Sequence, residues 1–289
     1  MKLSECLKAA EGRLKECGIE NAGFDARVLA AHALETDRAA LVSGADRELS
    51  EREQHHIEVL IECRARREPV ARILRMREFW SLPFGLNEAT LVPRPESETL
   101  IEAALYVFAK RRDEALRVLD LGAGSGCLLL ALLHEFKNAS GVGVDCAPRA
   151  VLQAQENAKR LGLTARAEFM AGNWADNIAE RFDLVISNPP YIAPEEIPHL
   201  MPEVRDYDPK LALDGGKYGL AAYHAIAPKL PNLLKPGGGA IFEIGEGQAP
   251  SVRLIFQKAG FSKLDTRKDL SGIERCVIGF LTGSPLSRG

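Results

Sequence analysis

Two short stretches of the chain carry residue types whose spacing is suited to chemistry, and the first is a glycine-rich loop. Residues 120–126 read D-L-G-A-G-S-G, and three glycines here lack the Cβ atoms that would keep a ligand away from the backbone. A dinucleotide-binding loop follows the pattern G-x-G-x-x-G, but its third glycine would fall on Cys127. The spacing therefore disfavours a cofactor with a pyrophosphate, such as NAD.

The same loop suits a nucleoside that ends in an amino acid and has no pyrophosphate, which is the shape of S-adenosylmethionine. Asp145 ends the next strand of the pattern, where its carboxylate can accept both ribose hydroxyl protons. Trp174 follows the third strand and is expected to stack on adenine. The simpler interpretations are a tight strand-to-helix turn for the loop and a core aromatic for Trp174. The predicted cofactor-binding residues are Gly122, Ala123, Gly124, Ser125, Gly126, Asp145, Trp174 and Asn188.

The second stretch is Asn188-Pro189-Pro190-Tyr191, directly after the apolar run 182–187. An amide nitrogen is a poor nucleophile because its lone pair is delocalised into the carbonyl, so a catalyst has to aim that lone pair at the methyl donor. The Asn188 side-chain oxygen and the Pro189 carbonyl can accept the two N–H bonds, and the Tyr191 ring can pack on the planar amide. We predict Asn188, Pro189 and Tyr191 as catalytic residues and all four as the substrate-binding turn. A rigid turn without function is the alternative.

This chemistry requires neither a metal nor a covalent nucleophile, because a sulfonium methyl donor is already strongly electrophilic. Alignment of the reactants can lower the barrier by ~7–11 kcal/mol. The six histidines and six cysteines show no metal-ligand spacing, so we expect no metal site. Cysteines scattered without a C-x-x-C pair are typical of a reducing compartment, and we expect a cytoplasmic protein.

Short apolar strands alternate with helical stretches from Arg117 onward, in the order βαβαβ. Parallel strands need right-handed crossover helices, so we expect helices on both faces of the sheet and ligands at the carboxyl ends of its strands. The pattern predicts an α/β fold with a doubly wound, Rossmann-like sheet of seven strands. Strands are predicted at 118–121, 142–145, 182–187 and 240–244, with two late strands ending near Phe280, and helices at 128–136 and 150–161.

The first 75 residues have a helical pattern instead. Leu7, Ala10 and Leu14 recur at helical spacing, and an S-x-x-E capping box begins at Ser50. Asp25 is a candidate cap for the helix between them. We predict a helical bundle over residues 1–75, a β-hairpin linker over 76–93 and the α/β domain over 94–289.

The charge balance argues against nucleic acid as a direct partner. The formal net charge is −3, whereas phosphate contacts need a clustered positive surface. The one basic concentration, the arginines between 64 and 77, is mixed with glutamates and favours a solvated face, with a docking surface as the alternative. No apolar run approaches the roughly 18 residues that span a bilayer, so we expect neither a membrane segment nor a secretion signal.

Taken together, these blocks resemble the HemK-like (PrmC) methyltransferases, which modify glutamine in peptide chain release factors. The resemblance covers nearly the whole chain and implies a class I S-adenosylmethionine-dependent methyltransferase. It implies transfer to the side-chain nitrogen (N5) of the glutamine in a Gly-Gly-Gln loop, a helical domain that docks the release factor, and a P-R-P-E segment that borders the cofactor. We expect release factors as partners and a monomeric enzyme. The matching blocks are 77–80, 92–96, the glycine loop, 187–191, 213–216 with 219–220, and 269–275.

Three positions depart from the family pattern. Arg75 stands where glycine is frequent, Asn173 replaces a frequent aspartate before Trp174, and Asp208 stands where glutamate usually precedes proline. None of these changes removes a predicted contact group. The second weakens any role for a carboxylate before Trp174 in holding the adenine amino group.

Other functions fit parts of the pattern. Adenine and cytosine amino-methyltransferases share the N-P-P-Y turn, so the turn specifies a planar NH₂ acceptor and not glutamine itself. The alternatives are glutamine methylation of a ribosomal protein and N6-adenine methylation of nucleic acid, where the turn would hold a flipped base. A non-catalytic module that holds translation factors is a third. The P-R-P-E block favours glutamine, and the acidic balance disfavours nucleic acid.

Overall fold

The computed structural model describes residues 1–176 and 178–281 of the chain. Residues 282–289, at the end of the predicted α/β domain, lie outside the described residues. The helices are α1 Leu3–Glu16, α2 Ala22–Ala33, α3 Arg38–Ser43, α4 Glu51–Ala65, α5 Val70–Ile73, α6 Glu98–Val107, α7 Cys127–Glu135, α8 Pro148–Arg160, α9 Pro202–Arg205, α10 Lys210–Leu213, α11 Ala221–Ile226, α12 Leu230–Leu233 and α13 Ala249–Lys258. The strands are β1 Met76–Phe79, β2 Leu82–Gly85, β3 Arg117–Leu121, β4 Ser140–Asp145, β5 Ala167–Ala171, β6 Phe182–Ser187, β7 Leu234–Glu243, β8 Phe261–Lys268 and β9 Glu274–Leu281.

The chain forms two compact units, and the first consists of Met1–Met76 together with Met201–Tyr207. Helices α1, α2 and α4 pack on one another because each carries an apolar stripe at helical spacing. The second segment belongs to this unit although it lies inside the predicted α/β domain. The largest fully buried side chains of this core are Leu3, Leu14, Leu29 and Ile57.

Side chains cap the starts of two helices in this unit, α3 at Asp37 and α4 at Ser50. The predicted capping box is confirmed: Ser50 N donates to Glu53 Oε2 at 2.8 Å, and Glu53 N donates to Ser50 Oγ at 3.3 Å. The prediction that Asp25 caps a helix is wrong, because α2 begins earlier, after Asn21. Asp25 lies within the helix and is buried, where it accepts a hydrogen bond from Arg64 Nε at 2.7 Å.

Two of the arginines between residues 64 and 77 form ion pairs within this unit. Arg64 is buried and also donates to Glu203 Oε1 at 3.1 Å, while Arg67 donates to Glu203 Oε2 at 2.9 Å. The expectation of a solvated face is therefore wrong for Arg64. A buried charge of this kind needs its partners, so these contacts tie the segment containing Glu203 to α4. Arg75 has φ +53, a left-handed conformation that glycine adopts without strain, which accounts for the frequent glycine at this position.

The second unit, Arg77–Leu200 and Asp208–Gly289, contains a seven-stranded sheet in the order β5-β4-β3-β6-β7-β9-β8. The first five strands of that order are parallel, and β9 runs antiparallel to both of its neighbours. Strands β1 and β2 form a separate two-stranded sheet. The predicted doubly wound α/β class is confirmed. Among the described residues, no helix is long and apolar enough to cross a membrane.

Helices cover both faces of the sheet, so its central strands are buried on both sides. Val118 packs with the face covered by α6, α7 and α8, and the next residue, Leu119, packs with the face covered by α11, α12 and α13. Both side chains are at most 1% exposed. This double burial explains why the strands appear in the sequence as continuous apolar runs.

The order of the strands reverses at β3, which lies between β4 and β6. Asp120 of β3 is in register with Ile186 of β6, so the loops after the two strands leave the sheet at the same level. Ser187 fixes this junction, because its hydroxyl donates to the Leu121 carbonyl at 2.6 Å. Ligands of doubly wound sheets bind at such a reversal, where two adjacent loops diverge.

Candidate active site

The glycine loop after β3 turns sharply back towards β4. The Gly122 and Ala123 amides donate to the Val144 carbonyl at 2.8 and 3.0 Å. Gly122 has φ +75, and a Cβ built on it would lie 3.3 Å from the Trp174 ring. A side chain at 122 would therefore be strained by the backbone conformation and crowded by the indole, which favours glycine.

Gly126 has a different neighbour. A Cβ on this residue would lie 2.9 Å from the Phe169 ring and 3.2 Å from Ala154 Cβ, which belong to β5 and α8. Gly126 is not among the described residues that line the cavity next to the loop. The structure thus gives a packing reason for this glycine, and its contact with a cofactor stays a prediction.

Asp145 ends β4 and lies opposite the glycine loop. Its Oδ2 accepts a hydrogen bond from the Gly124 amide at 2.8 Å, and its Oδ1 accepts one from the Ala147 amide at 2.8 Å. Burial raises the pKa of the carboxyl group, and the two amide hydrogen bonds lower it. Each carboxylate oxygen keeps a further lone pair, so Asp145 can still accept two hydroxyl protons.

A cavity of about 500 Å³ opens between these elements, which is within the usual size of a small-molecule site. Most of the predicted cofactor-binding residues line it, and so do Arg94 and Ser97 from the P-R-P-E region. The predicted residues on its wall are Gly122, Ala123, Gly124, Ser125, Asp145, Trp174, Asn188 and Pro190.

Asp120, the first residue of the 120–126 stretch, has a side-chain oxygen without a hydrogen-bond partner among the described residues. The residue is fully buried, and its Oδ1 has no hydrogen-bond partner among the described residues, while Oδ2 accepts from the Leu129 amide at 3.3 Å. Burial raises the pKa of this carboxyl group to about 7, and the charge of Asp145 adds to the rise. Asp120 is not among the described residues that line the cavity, so its unpaired oxygen lies behind the cavity wall, while the glycine cradle and the indole on that wall fit a nucleoside.

Asn188 leads the turn that follows β6 and lies beside the glycine loop. A Cβ on Gly122 would be 4.0 Å from the Asn188 carbonyl oxygen. The Asn188 Nδ2 donates to Ser97 Oγ at 3.1 Å. Its Oδ1 has no hydrogen-bond partner among the described residues, so this oxygen is the end of the amide that can accept from a substrate.

The L-D-G-G block and its following glycine pack directly against the backbone of this turn. Gly215 N donates to the Ile192 carbonyl at 2.8 Å, which forms a short strand-like bridge. A Cβ on Gly215 would lie 2.7 Å from the Pro190 carbonyl oxygen, and one on Gly219 only 2.0 Å from that of Tyr191. The two glycines therefore allow a backbone-to-backbone contact that fixes where the turn lies.

Pro189 and Tyr191 are not among the described residues that line the cavity. Pro189 is buried, and within the described chain its carbonyl oxygen accepts no hydrogen bond. Tyr191 borders a second cavity and donates its hydroxyl proton to Glu243 Oε1 at 3.2 Å. Burial and the Glu243 charge raise the pKa of the tyrosine hydroxyl, which therefore stays protonated. The predicted catalytic roles of Pro189 and Tyr191 stay predictions.

Glu243 is a buried acid that the motifs did not reveal. It ends β7 with 1% exposure, and its Oε2 accepts the Ser97 hydroxyl proton at 2.5 Å. Burial raises the pKa of Glu243 to about 7, although the hydrogen bond from Ser97 and the charge of Arg275 lower it. The one signal in the sequence was an acid inside the apolar run 240–244.

Two of the three positions that depart from the family pattern, Asn173 and Asp208, have partners within this unit. Asp208 Oδ2 accepts from Arg94 Nη2 at 2.5 Å, and the shorter aspartate therefore still holds the P-R-P-E segment. Asn173 lines the cavity and donates to Asp176 Oδ2 at 2.9 Å. Within the described ranges, no group of three or more potential ligand side chains could hold a metal ion.

Comparison with known proteins covers both units. Residues 5–74 match the model described as the PrmC N-terminal domain, and residues 112–251 match one described as a methyltransferase domain. A release factor glutamine methyltransferase of Rhodospirillum rubrum is 45% identical over 276 residues, covering 96% of this chain and 84% of the relative. One of Caulobacter vibrioides is 42% identical over 280 residues, covering 96% of each protein.

Solved structures share the fold at lower identity. The hMettl16 catalytic domain in complex with an RNA hairpin has a TM-score of 0.58 at 13% identity, covering 73% of this chain and 80% of that one. The T. thermophilus 16S rRNA N2 G1207 methyltransferase in complex with AdoMet and guanosine has a TM-score of 0.51 at 20% identity, covering 71% of this chain and 49% of that one. Likeness at this identity shows a common architecture only.

Proposed function

Because this chain belongs to the family of release factor glutamine methyltransferases, we propose that it methylates the side-chain N5 of the glutamine in the Gly-Gly-Gln motif of peptide chain release factors. The chain is a methyltransferase, and the proposal concerns its methyl donor and its acceptor atom. One observation carries the proposal. Asn188 presents a free amide oxygen beside the glycine loop, where it can accept from a planar NH₂ group.

The described residues fit S-adenosylmethionine as the donor, which supplies an electrophilic methyl group when bound. Asp145 would accept the ribose hydroxyls, and Trp174 would pack on the adenine. The backbone of the glycine loop would lie against the nucleoside. Apolar side chains in the lining, among them Leu91, Leu128 and Val144, lower the local dielectric constant and strengthen each electrostatic contact.

The exchange Asp145→Asn is expected to weaken cofactor binding about 10- to 100-fold, because a hydrogen bond to a charged acceptor contributes ~1.5–3 kcal/mol. Titration calorimetry with S-adenosylhomocysteine, which cannot react, would measure the change in Kd. Asp265→Asn is the matched control, since Asp265 is an exposed acid on β8. Equal affinities in the two variants would exclude Asp145 as the ribose acceptor.

The residues of the turn would hold the acceptor amide. Asn188 Oδ1 would accept one N–H bond, and we propose the Pro189 carbonyl for the other because it has no other donor within the described chain. Both bonds would hold the nitrogen lone pair towards the methyl group. Tyr191, fixed by Glu243, would border the plane of the amide. The N–H acidified by methylation can lose its proton to water.

The helical unit is the proposed docking domain for the release factor. Residues 5–74, which are nearly all of the segment Met1–Met76, match the PrmC N-terminal domain. A single glutamine side chain offers little area for recognition, and a stable protein interface normally buries well over 1,000 Å² in total. A separate docking domain would supply that area without altering the reaction site.

The test is to incubate the purified protein with methyl-labelled cofactor and with purified release factors, ribosomal proteins or nucleic acid in separate reactions. We expect label on release factors alone, and peptide mass spectrometry should place it on the glutamine of the Gly-Gly-Gln motif. A release factor in which that glutamine is replaced by alanine is the control. Label on ribosomal protein or nucleic acid and none on release factors would refute the proposal.

A further inference from the structure

We infer that Ser97 and Glu243 are positioning residues that determine which end of the Asn188 carboxamide faces the methyl acceptor. The inference rests on the function proposed above, because it concerns how an amide acceptor is recognised. Neither residue needs to touch the substrate. Both act through Asn188, and Glu243 also acts through Tyr191.

The direction of each hydrogen bond in this group follows from simple proton counting. A carboxylate can only accept, so Ser97 has to donate its single proton to Glu243 Oε2, at 2.5 Å. The Ser97 oxygen then offers only lone pairs to Asn188, 3.1 Å away. The NH₂ end of Asn188 must therefore face Ser97, and its oxygen is left for the substrate.

The same carboxylate holds the other end of the N-P-P-Y turn. Glu243 Oε1 accepts the Tyr191 hydroxyl proton at 3.2 Å, and the Glu243 carbonyl oxygen accepts that of Tyr223 at 2.7 Å. Each oxygen of this residue thus has a donor. Glu243 connects the first and last residues of the turn through one rigid strand.

The energetics favour a functional reason for this acid. Burying a carboxylate costs free energy, and an apolar side chain of similar size would fill the core at lower cost. The neighbouring Ile241, Phe242 and Ile244 are all fully buried. The nearby Arg275 is itself paired with Asp269 Oδ2 at 2.9 Å, so its charge is shared. An acid at this position is explained if catalysis needs Glu243 to accept hydrogen bonds from Ser97 and Tyr191.

Protonation of Glu243 would remove that direction. A neutral carboxyl group can donate to Ser97, whose own proton is then free to bond with the Asn188 oxygen. The Asn188 carboxamide can then rotate so that its oxygen and its NH₂ group exchange places. The Asn188 NH₂ group would then face the NH₂ group of the substrate, and two donors cannot form a hydrogen bond. Burial raises the pKa of Glu243 to about 7, so the aligned state is present above pH 7 and is lost as the pH falls below it. The other titratable and charged groups around Glu243 are Glu96, Cys127, Tyr191, Tyr223, Arg275 and Cys276.

The kinetic test compares Ser97→Ala, Ser97→Thr and Glu243→Gln in methylation of release factor. We expect Ser97→Ala to lower kcat about 10-fold with KM and cofactor Kd nearly unchanged, since one hydrogen bond that orients a reacting group contributes ~1.5 kcal/mol. Ser97→Thr, which keeps the hydroxyl, should restore most of the loss. Wild-type kcat should fall below pH 7, and Glu243→Gln should be slower and lack this dependence. Ser262→Ala, at an exposed serine on β8, is the control.

A second measurement needs neither cofactor nor acceptor. In ¹⁵N-labelled protein, the side-chain NH₂ resonance of Asn188 can be assigned by its absence from the spectrum of Asn188→Ala. We expect it to shift with a midpoint near pH 7 in the wild type, to lose this titration in Glu243→Gln, and to move in Ser97→Ala. A resonance that ignores all three changes would overturn the inference. Titration without methylation of any release factor would instead refute the proposed function, while the orientation of the Asn188 amide by Ser97 and Glu243 would still hold.

Discussion

Replacement of Asn188 by alanine is expected to lower kcat for release factor methylation by about 10²- to 10³-fold, which is the usual cost of removing one preorganised polar contact at a reacting group. The side chain supplies the carboxamide oxygen that would accept from the substrate, and alanine has no such acceptor. The change should leave KM for S-adenosylmethionine within a few-fold, because the glycine loop after β3 and Asp145 at the end of β4 are unchanged. Single-turnover kinetics would separate the chemical step from product release.

Two further measurements would make this result specific to the lost acceptor. Asn232→Ala changes an exposed asparagine on α12 and should retain full activity. The thermal unfolding midpoint of Asn188→Ala should stay close to that of the wild type, because the residue is only half-buried. Normal turnover of Asn188→Ala would remove this residue from the catalytic machinery and with it the proposed hold on the acceptor amide.

The meeting of the two motifs at one sheet edge could be predicted from the sequence because it follows from strand order alone. Strands buried on both faces appear as apolar runs, and the glycine loop and Asn188 each follow such a run directly. Parallel strands end at the same edge, and the structure brings the two loops together at the reversal between β3 and β6. Local chemistry and topology agree at this site, so short motifs were sufficient.

The buried hydrogen bonds behind the site could not be predicted in the same way. Ser97 and Glu243 are 146 positions apart, and they meet only because the turn before α6 packs on the end of β7. Asp25 illustrates the same limit. An acid near a helix start suggests a cap, whereas its partner Arg64 lies 39 positions along the chain. A partner for a buried polar side chain is a property of tertiary packing, which spacing does not encode.

The predicted cofactor-binding glycines do not all line the cavity, for a related reason. A glycine can be required by a ligand, by a left-handed backbone or by a close neighbour, and the sequence does not separate these causes. Gly122 is close to both the indole and the turn, whereas Gly126 accommodates the Phe169 ring. Distances to a hypothetical Cβ separate the causes, and they identify Gly219 as the most tightly packed glycine behind the turn.

Gly219→Ala is therefore expected to lower kcat about 10²-fold, although residue 219 is outside the predicted site. A Cβ at this position would lie 2.0 Å from the Tyr191 carbonyl oxygen, so the turn or the glycine segment must shift by about 1 Å. Misplacement by that distance can cost about 10² in rate when alignment carries the catalysis. The measurement is kcat for release factor methylation, together with the cofactor Kd, which should change little.

Gly162→Ala is the control that separates two effects of Gly219→Ala, the steric clash with the Tyr191 carbonyl and the strain of an alanine in a left-handed conformation. Gly162 also has a left-handed φ, +70 compared with +67 for Gly219, but no described atom lies within 4 Å of an added Cβ. Both variants should lose ~1–2 kcal/mol of stability from the left-handed alanine. Only Gly219→Ala should also lose activity, because only there does the new methyl group push on the carbonyl of Tyr191. Equal activities in the two variants would show that the position of the turn does not depend on this contact, and that Asn188 is held by its side-chain hydrogen bonds alone.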